Sequence, residues 1–147
     1  MLDSVPLAPT QPANRSPWRS AGVWLALVLV IYMLFNAARA VTNPLDFAAS
    51  YGTPLAEGSS TAFVLVYAIR ALFLALFGLA LIVTMQWRAL AWFALVAVVM
   101  PAGDALLVAL QGGAISIVVR HALTAVLLFV TWLFLVRWNH NRHTQSA

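Results

Sequence analysis

The chain has 147 residues, 63% of them hydrophobic and 8% charged, well above the apolar fraction and well below the charge of a soluble globular domain. The absence of cysteine excludes disulfides, thiolate catalysis, cysteine-ligated iron–sulfur clusters and thiolate zinc sites. The formal charge of +4 comes from arginine, most of it in the tails and one short loop, where it meets anionic lipid headgroups and carries no nucleic-acid signal.

Residues 1–20 contain four prolines and no apolar periodicity, so they read as a disordered tail that buries too little surface to offset its conformational entropy. Beyond it, four apolar stretches are each long enough to cross a hydrocarbon core about 30 Å thick. They lie at roughly 21–41, 62–84, 89–110 and 114–138, with 139–147 left as a polar C-terminal tail. The expected architecture is all-α, an integral membrane four-helix bundle forming one domain. A signal-peptide reading of the first stretch, with Ala38-Arg39-Ala40 as cleavage site, is the weaker one. The apolar run is long for a signal, and arginine sits inside the supposed site.

Between the first two spans, Thr42 or Asn43 is placed to cap a short helix with Pro44 in its first turn and an end near Gly52. Leu45, Phe47, Ala48 and Tyr51 would form its apolar face, and the segment reads as an interfacial helix over the outer end of the bundle. Arg15, Arg19, Arg88, Arg137 and Arg142 fall on one side of the membrane, and Asp46 and Glu57 on the other. The positive-inside rule then predicts that both termini are cytoplasmic. Six tryptophans, Trp18, Trp24, Trp87, Trp92, Trp132 and Trp138, gather near that same side, as interfacial indoles do.

A few polar residues lie where insertion of a charge costs about 2.5–3.5 kcal/mol. Arg70 is about 12 Å below the outer end of the second helix, and Asp104 about 9 Å below that of the third. Arg120 and His121 lie about 9–10 Å below the outer end of the fourth. Helical spacing adds Asn36 and Arg39 on one face of the first helix with Tyr32, Tyr67 one turn from Arg70, Gln111 on the face of Asp104, and Ser116, Thr124 and Thr131 in register with Arg120. Lipid repels these stripes, so they are expected to converge on a polar cavity in the outer half. Arg39, Arg70 and Arg120 face one intramembrane carboxylate, so Asp46 or Glu57 must fold inward, or a bound anion or polar headgroup must supply the missing charge. An Asp104–Arg70 or Asp104–Arg120 pair that merely locks helices together is the structural alternative. Pro101, one turn before Asp104, should kink the third helix.

One intramembrane histidine is too few for a bis-histidine haem, and one histidine with one carboxylate too few for a zinc or di-iron centre, so no metal is expected. No glycine-rich phosphate loop or serine elbow is present.

The arginine of the second helix followed by FLALFGLAL, the segment PAGDALLV and the segment RHALTAVLLF together resemble the DoxX-like group of small bacterial membrane proteins, over roughly Asn43 to Leu135. The resemblance implies a four-helix membrane fold with polar positions at Arg70, Asp104 and His121. It also implies a link to quinone-dependent oxidation of sulfur compounds, although absence of cysteine argues against direct thiol chemistry.

The leading expectation is an accessory or non-enzymatic protein holding a small lipophilic molecule with a polar head, a quinone or a lipid. Arg70, Asp104, Arg120, His121, Tyr67, Asn36 and Arg39 are the candidate ligand-binding residues. A quinone is the sole cofactor candidate, and membrane lipids, a second copy of the chain or a larger membrane complex are the candidate partners. The alternative is an intramembrane isomerase or cyclase using Asp104 or His121 as acid or base. A small four-helix exporter ranks below both, because excess arginine disfavours cationic cargo.

Overall fold

The computed structural model describes residues 17–56 and 58–143. Most of the expected N-terminal tail, with Arg15, therefore lies outside the described residues, as do Glu57 and the last four residues of the chain. Among the described residues the elements are helical throughout: a 3₁₀ turn at Pro17–Arg19, then α1 Ala21–Thr42, α2 Pro44–Tyr51, α3 Ala62–Val83, α4 Trp87–Ala97, α5 Val99–Leu110 and α6 Ile115–His143. Four spans, Ala21–Thr42, Ala62–Val83, Trp87–Leu110 and Ile115–Asn141, are long and apolar enough to cross a membrane, and the protein is a multi-pass membrane protein.

One expectation about helix ends needs correction. The last helix runs on to His143, so much of the presumed polar tail is helical. Once backbone hydrogen bonding is internal, polar side chains such as Asn139 and Asn141 do not stop a helix, and arginine and histidine near its C-terminus interact favourably with the macrodipole. The third span is kinked, as Pro101 predicts: α4 and α5 are separated only by Val98, whose N–H turns to the Leu95 carbonyl three residues back while its backbone stays right-handed helical. Pro101 explains the position: it has no N–H to give the carbonyl of Ala97, four residues earlier.

Packing rests on small residues, as expected where lipid is as apolar as the side chains themselves. Ala68, Ala71, Ala75 and Gly78 form one buried stripe along α3, against Ala26, Val30, Ala37 and Ala40 of α1. α1 also packs on α6, where a Cβ on Gly22 would stand 3.0 Å from the backbone nitrogen of Leu135. α4 and α5 both pack along α6, but α3 packs on α4 and makes at most marginal contact with α5. The bundle is therefore closed at the end carrying the chain termini and parted between α3 and α5 at the other.

α2 lies across that parted end. Pro44 occupies the first turn, and Gly52 caps the helix in the left-handed region at φ 102°. A Cβ on Gly52 would come within 2.8 Å of Val108 and 3.0 Å of Ile117, so the residue lets the chain turn while pressed against α5 and α6. Phe47 and Ala48 are buried, packed with Ala40, Val64 and Ala68. Leu45, expected on the same face, points outward at 59% exposure. It precedes Phe47 by two residues, roughly 200° around the helix.

Candidate functional site

α2 is fastened to the bundle by polar contacts to three of the long helical segments. Arg39, in the last turn of α1, donates to the Asp46 carboxylate at 2.9 Å and to the Ser50 hydroxyl at 3.3 Å. Arg120 of α6 donates to the Ser50 carbonyl, one of the acceptors left over at the C-terminal end of α2, where a cation is favoured. His121 Nε2 lies 3.1 Å from the Tyr51 carbonyl, and the histidine is buried. The Tyr51 hydroxyl donates to the Asp104 carboxylate of α5.

Tyr51 stands at the centre of this arrangement. Its ring lies 5.3 Å from Phe47, 5.0 Å from Tyr67 and 4.6 Å from His121, the last two edge-on. Burial first, then the neighbouring Tyr67 and Asp104, hold the phenol well above the ordinary tyrosine range, so it remains the proton donor to Asp104. The sequence reading placed Tyr51 on the apolar face of the loop helix and missed its polar role. The signal is a general one: a tyrosine on a buried face needs a partner for its hydroxyl.

Beneath α2 is a cavity of about 430 Å³, within the usual range of roughly 300–1,000 Å³ for small-molecule sites. Its polar wall is made by Tyr51, Tyr67, Arg70, Asp104, His121 and Thr124. From there it runs past Leu74, Ala75, Gly78, Leu90, Phe93 and Leu128, so one end is polar and the rest apolar. It reaches Thr131, whose hydroxyl donates to the Leu127 carbonyl of its own helix at 2.7 Å. The cavity is thus deeper than the outer-half pocket expected from sequence. Phe63, Val66 and Arg70 of α3, with Met100 and Asp104 of α5, line it where those helices part. Phe63, Val66 and Met100 of this lining are exposed on the two helices.

Of the seven predicted ligand-binding residues, Tyr67, Arg70, Asp104 and His121 line this cavity, whereas Asn36, Arg39 and Arg120 do not. Asn36 is buried but donates to the Tyr32 carbonyl one turn back in α1 at 3.0 Å. Arg39 and Arg120 serve α2. The anticipated pairing of Asp104 with Arg70 or Arg120 does not form among the described residues, because Tyr51 takes the carboxylate and the Ser50 carbonyl takes Arg120. Arg70 has neither an ion pair nor a hydrogen bond to any described residue. Gln111, expected on the face of Asp104, is the exposed C-cap of α5. The described residues contain no group of three or more histidine or carboxylate side chains that could hold a metal ion.

No curated protein and no solved structure matches the chain. A family model for a domain of unknown function, DUF4267, matches residues 30–135, a stretch that includes α2, both halves of the third span and every polar residue of the cavity wall. The chain belongs to the DUF4267 family.

Proposed function

We propose that this protein holds one small lipophilic molecule with a polar head, a quinone or a lipid, with the head at Tyr67, Arg70, Asp104 and His121 and the apolar part along Leu74, Leu90 and Leu128. The observation that carries the reading is Arg70: a guanidinium on the wall of an amphiphilic cavity, without a partner among the described residues. A charge at that depth costs free energy unless something answers it. On this reading the gap between α3 and α5 is the side mouth by which the molecule enters from the lipid phase, since Phe63, Val66 and Met100 line the cavity and are exposed on those helices.

A quinone suits the polar wall through its carbonyl oxygens, which accept from arginine and tyrosine donors, and the DoxX-like resemblance favours this class. The arrangement favours holding over acid–base turnover, because Asp104 and His121 are both engaged in fastening α2. The protein belongs on this reading in a bacterial inner membrane with both termini cytoplasmic, in line with its arginine distribution. Mass spectrometry of molecules that co-purify in mild detergent tests the reading. A discrete species retained by wild type and lost from Arg70→Ala supports it. The same bulk lipids in both samples would remove its basis.

A further inference from the structure

We infer that the molecule held in the cavity is a single-chain amphiphile with an oxyanion head, a carboxylate or phosphate monoester, and that Arg70 is its specificity-determining residue. This rests on the proposed function and narrows its ligand class. At the α2 end of the bundle, Arg39 and Asp46 cancel as an ion pair. That leaves Arg70 and Arg120 against Asp104. Even a fully ionised Asp104 leaves at least one positive charge in excess among the described residues, and protonation of His121 only adds to it. Arg120 is turned to the neutral Ser50 carbonyl, and the Asp104 carboxylate already accepts from Tyr51. The surplus charge thus appears at Arg70, the guanidinium that lines the cavity.

In a surround of low dielectric an uncompensated cation attracts an anion strongly, and guanidinium pairs with carboxylate or phosphate in a bidentate, charge-assisted geometry. A neutral quinone or alcohol would make the hydrogen bond but leave the charge unanswered. The apolar extension is lined by Leu74 of α3, Leu90 of α4 and Leu128 of α6. The whole cavity, at about 430 Å³, lies towards the lower end for ligand sites and suits one chain, not the two of a membrane diacyl lipid. Thr124 also lines the cavity, with its hydroxyl donating to the Arg120 carbonyl at 3.0 Å.

The test uses the full chain in nanodiscs of phosphatidylcholine, with tritiated oleate as tracer and oleate, oleyl alcohol and ubiquinone-2 as competitors. Oleate should displace the tracer at a concentration at least about tenfold lower than oleyl alcohol, since an ionic hydrogen bond outweighs a neutral one by that order. The preference should vanish in Arg70→Gln and persist in Arg70→Lys. Equal potency of oleate and oleyl alcohol on wild type would overturn the inference, with no variant needing to fold. Saturable binding of ubiquinone-2 without saturable oleate binding would also overturn it, yet leave the broader proposal standing. Failure of all three ligands to bind would sink both. Discs containing phosphatidylglycerol distinguish the other source of an oxyanion: loss of oleate binding in them would mean that Arg70 answers leaflet headgroups, and would overturn the single-chain ligand.

Discussion

Replacing Tyr51 by phenylalanine removes one oxygen and keeps the ring that packs against Phe47, Tyr67 and His121. The lost contact is the hydroxyl's bond to the Asp104 carboxylate. Hydrogen bonds to charged groups contribute about 1.5–3 kcal/mol, with the upper part of that range applying when the acceptor is left without a replacement donor. The Arg39 ion pair does not make up the difference: Asp46 is 73% exposed in it, and such surface pairs contribute about 1 kcal/mol at most. Local opening of α2 should therefore become roughly 10- to 150-fold more frequent. Hydrogen exchange reports this directly. The amides of Phe47, Gly52 and Thr53, which bond to carbonyls of Asn43, Ala49 and Ala48, should exchange faster by that factor, while amides near Ala75 in the middle of α3 should not change. Asp104→Asn keeps an acceptor but makes it neutral, so its effect should be smaller, about 0.5–1.5 kcal/mol. Unchanged exchange across α2 in Tyr51→Phe, with faster exchange in Arg39→Ala, would refute the assignment of Tyr51 as the main tie.

Pro101→Ala restores a donor for the Ala97 carbonyl and lets α4 and α5 join, which should raise the thermal midpoint in detergent, since an interior proline costs a helix about 3 kcal/mol. The straightened helix should also narrow the side mouth, so binding of oleate or ubiquinone-2 should weaken as stability rises; a rise in both would separate the break from access. Gly22→Ala places a Cβ 3.0 Å from the Leu135 backbone nitrogen, an atom that cannot rotate away, and should cost about 1–3 kcal/mol in thermal unfolding. Because the Tyr51 phenol is raised in the folded protein, its contribution is fully present below the ordinary tyrosine pKa of about 10 and declines above it, where the unfolded chain loses a proton that the folded chain keeps. The thermal midpoint of wild type should fall more between pH 9 and 11 than that of Tyr51→Phe. Orientation is open to single-cysteine labelling on the naturally cysteine-free chain: Ser59→Cys should react with an impermeant maleimide on intact cells, and Gln86→Cys only after permeabilisation.

The four spans were legible because hydrophobic length is a one-dimensional property: about 20 apolar residues are needed to cross whatever lies beside them. The short helix was legible through Asn43, Pro44 and Gly52, which mark its ends by local backbone chemistry. What a linear pattern does not carry is which stripe meets which. Arg70, Asp104 and Arg120 share a depth, and depth alone suggested pairing across the bundle. In the fold Asp104 meets a tyrosine 53 positions away, and Arg120 meets a carbonyl 70 positions away. Both partners come from α2, which sequence assigned to the membrane surface rather than to the site. Leu45 failed for a related reason, since a short helix offers too few residues to fix its rotation from apolar positions alone. The break at Val98 was anticipated through Pro101, but not its consequence, because whether a break opens a gap depends on the neighbouring helix.

The polar layer divides into two parts with different physical reasons to exist. An eight-residue helix is far below the length that is stable alone, so α2 needs tertiary ties, and at the end of an apolar bundle polar ties gain from a surround of low dielectric. Arg39, Arg120, Asp104 and His121 are accounted for in this way, each having a partner on α2 or its last residue. The cost of placing ionisable groups in these helices is offset by docking the cap, and no ligand is needed to explain them. Arg70 does not fit that account. It makes no contact with α2 among the hydrogen bonds and ion pairs described, and it lies on the cavity wall next to the mouth. A packing role predicts that Arg70→Gln is neutral or stabilising, because it removes a charge from an apolar surround and no bond. A binding role predicts the same stability together with loss of oxyanion preference. Only ligand binding distinguishes the two, so Arg70 is the residue on which function is best tested, while the α2 contacts are best read through stability.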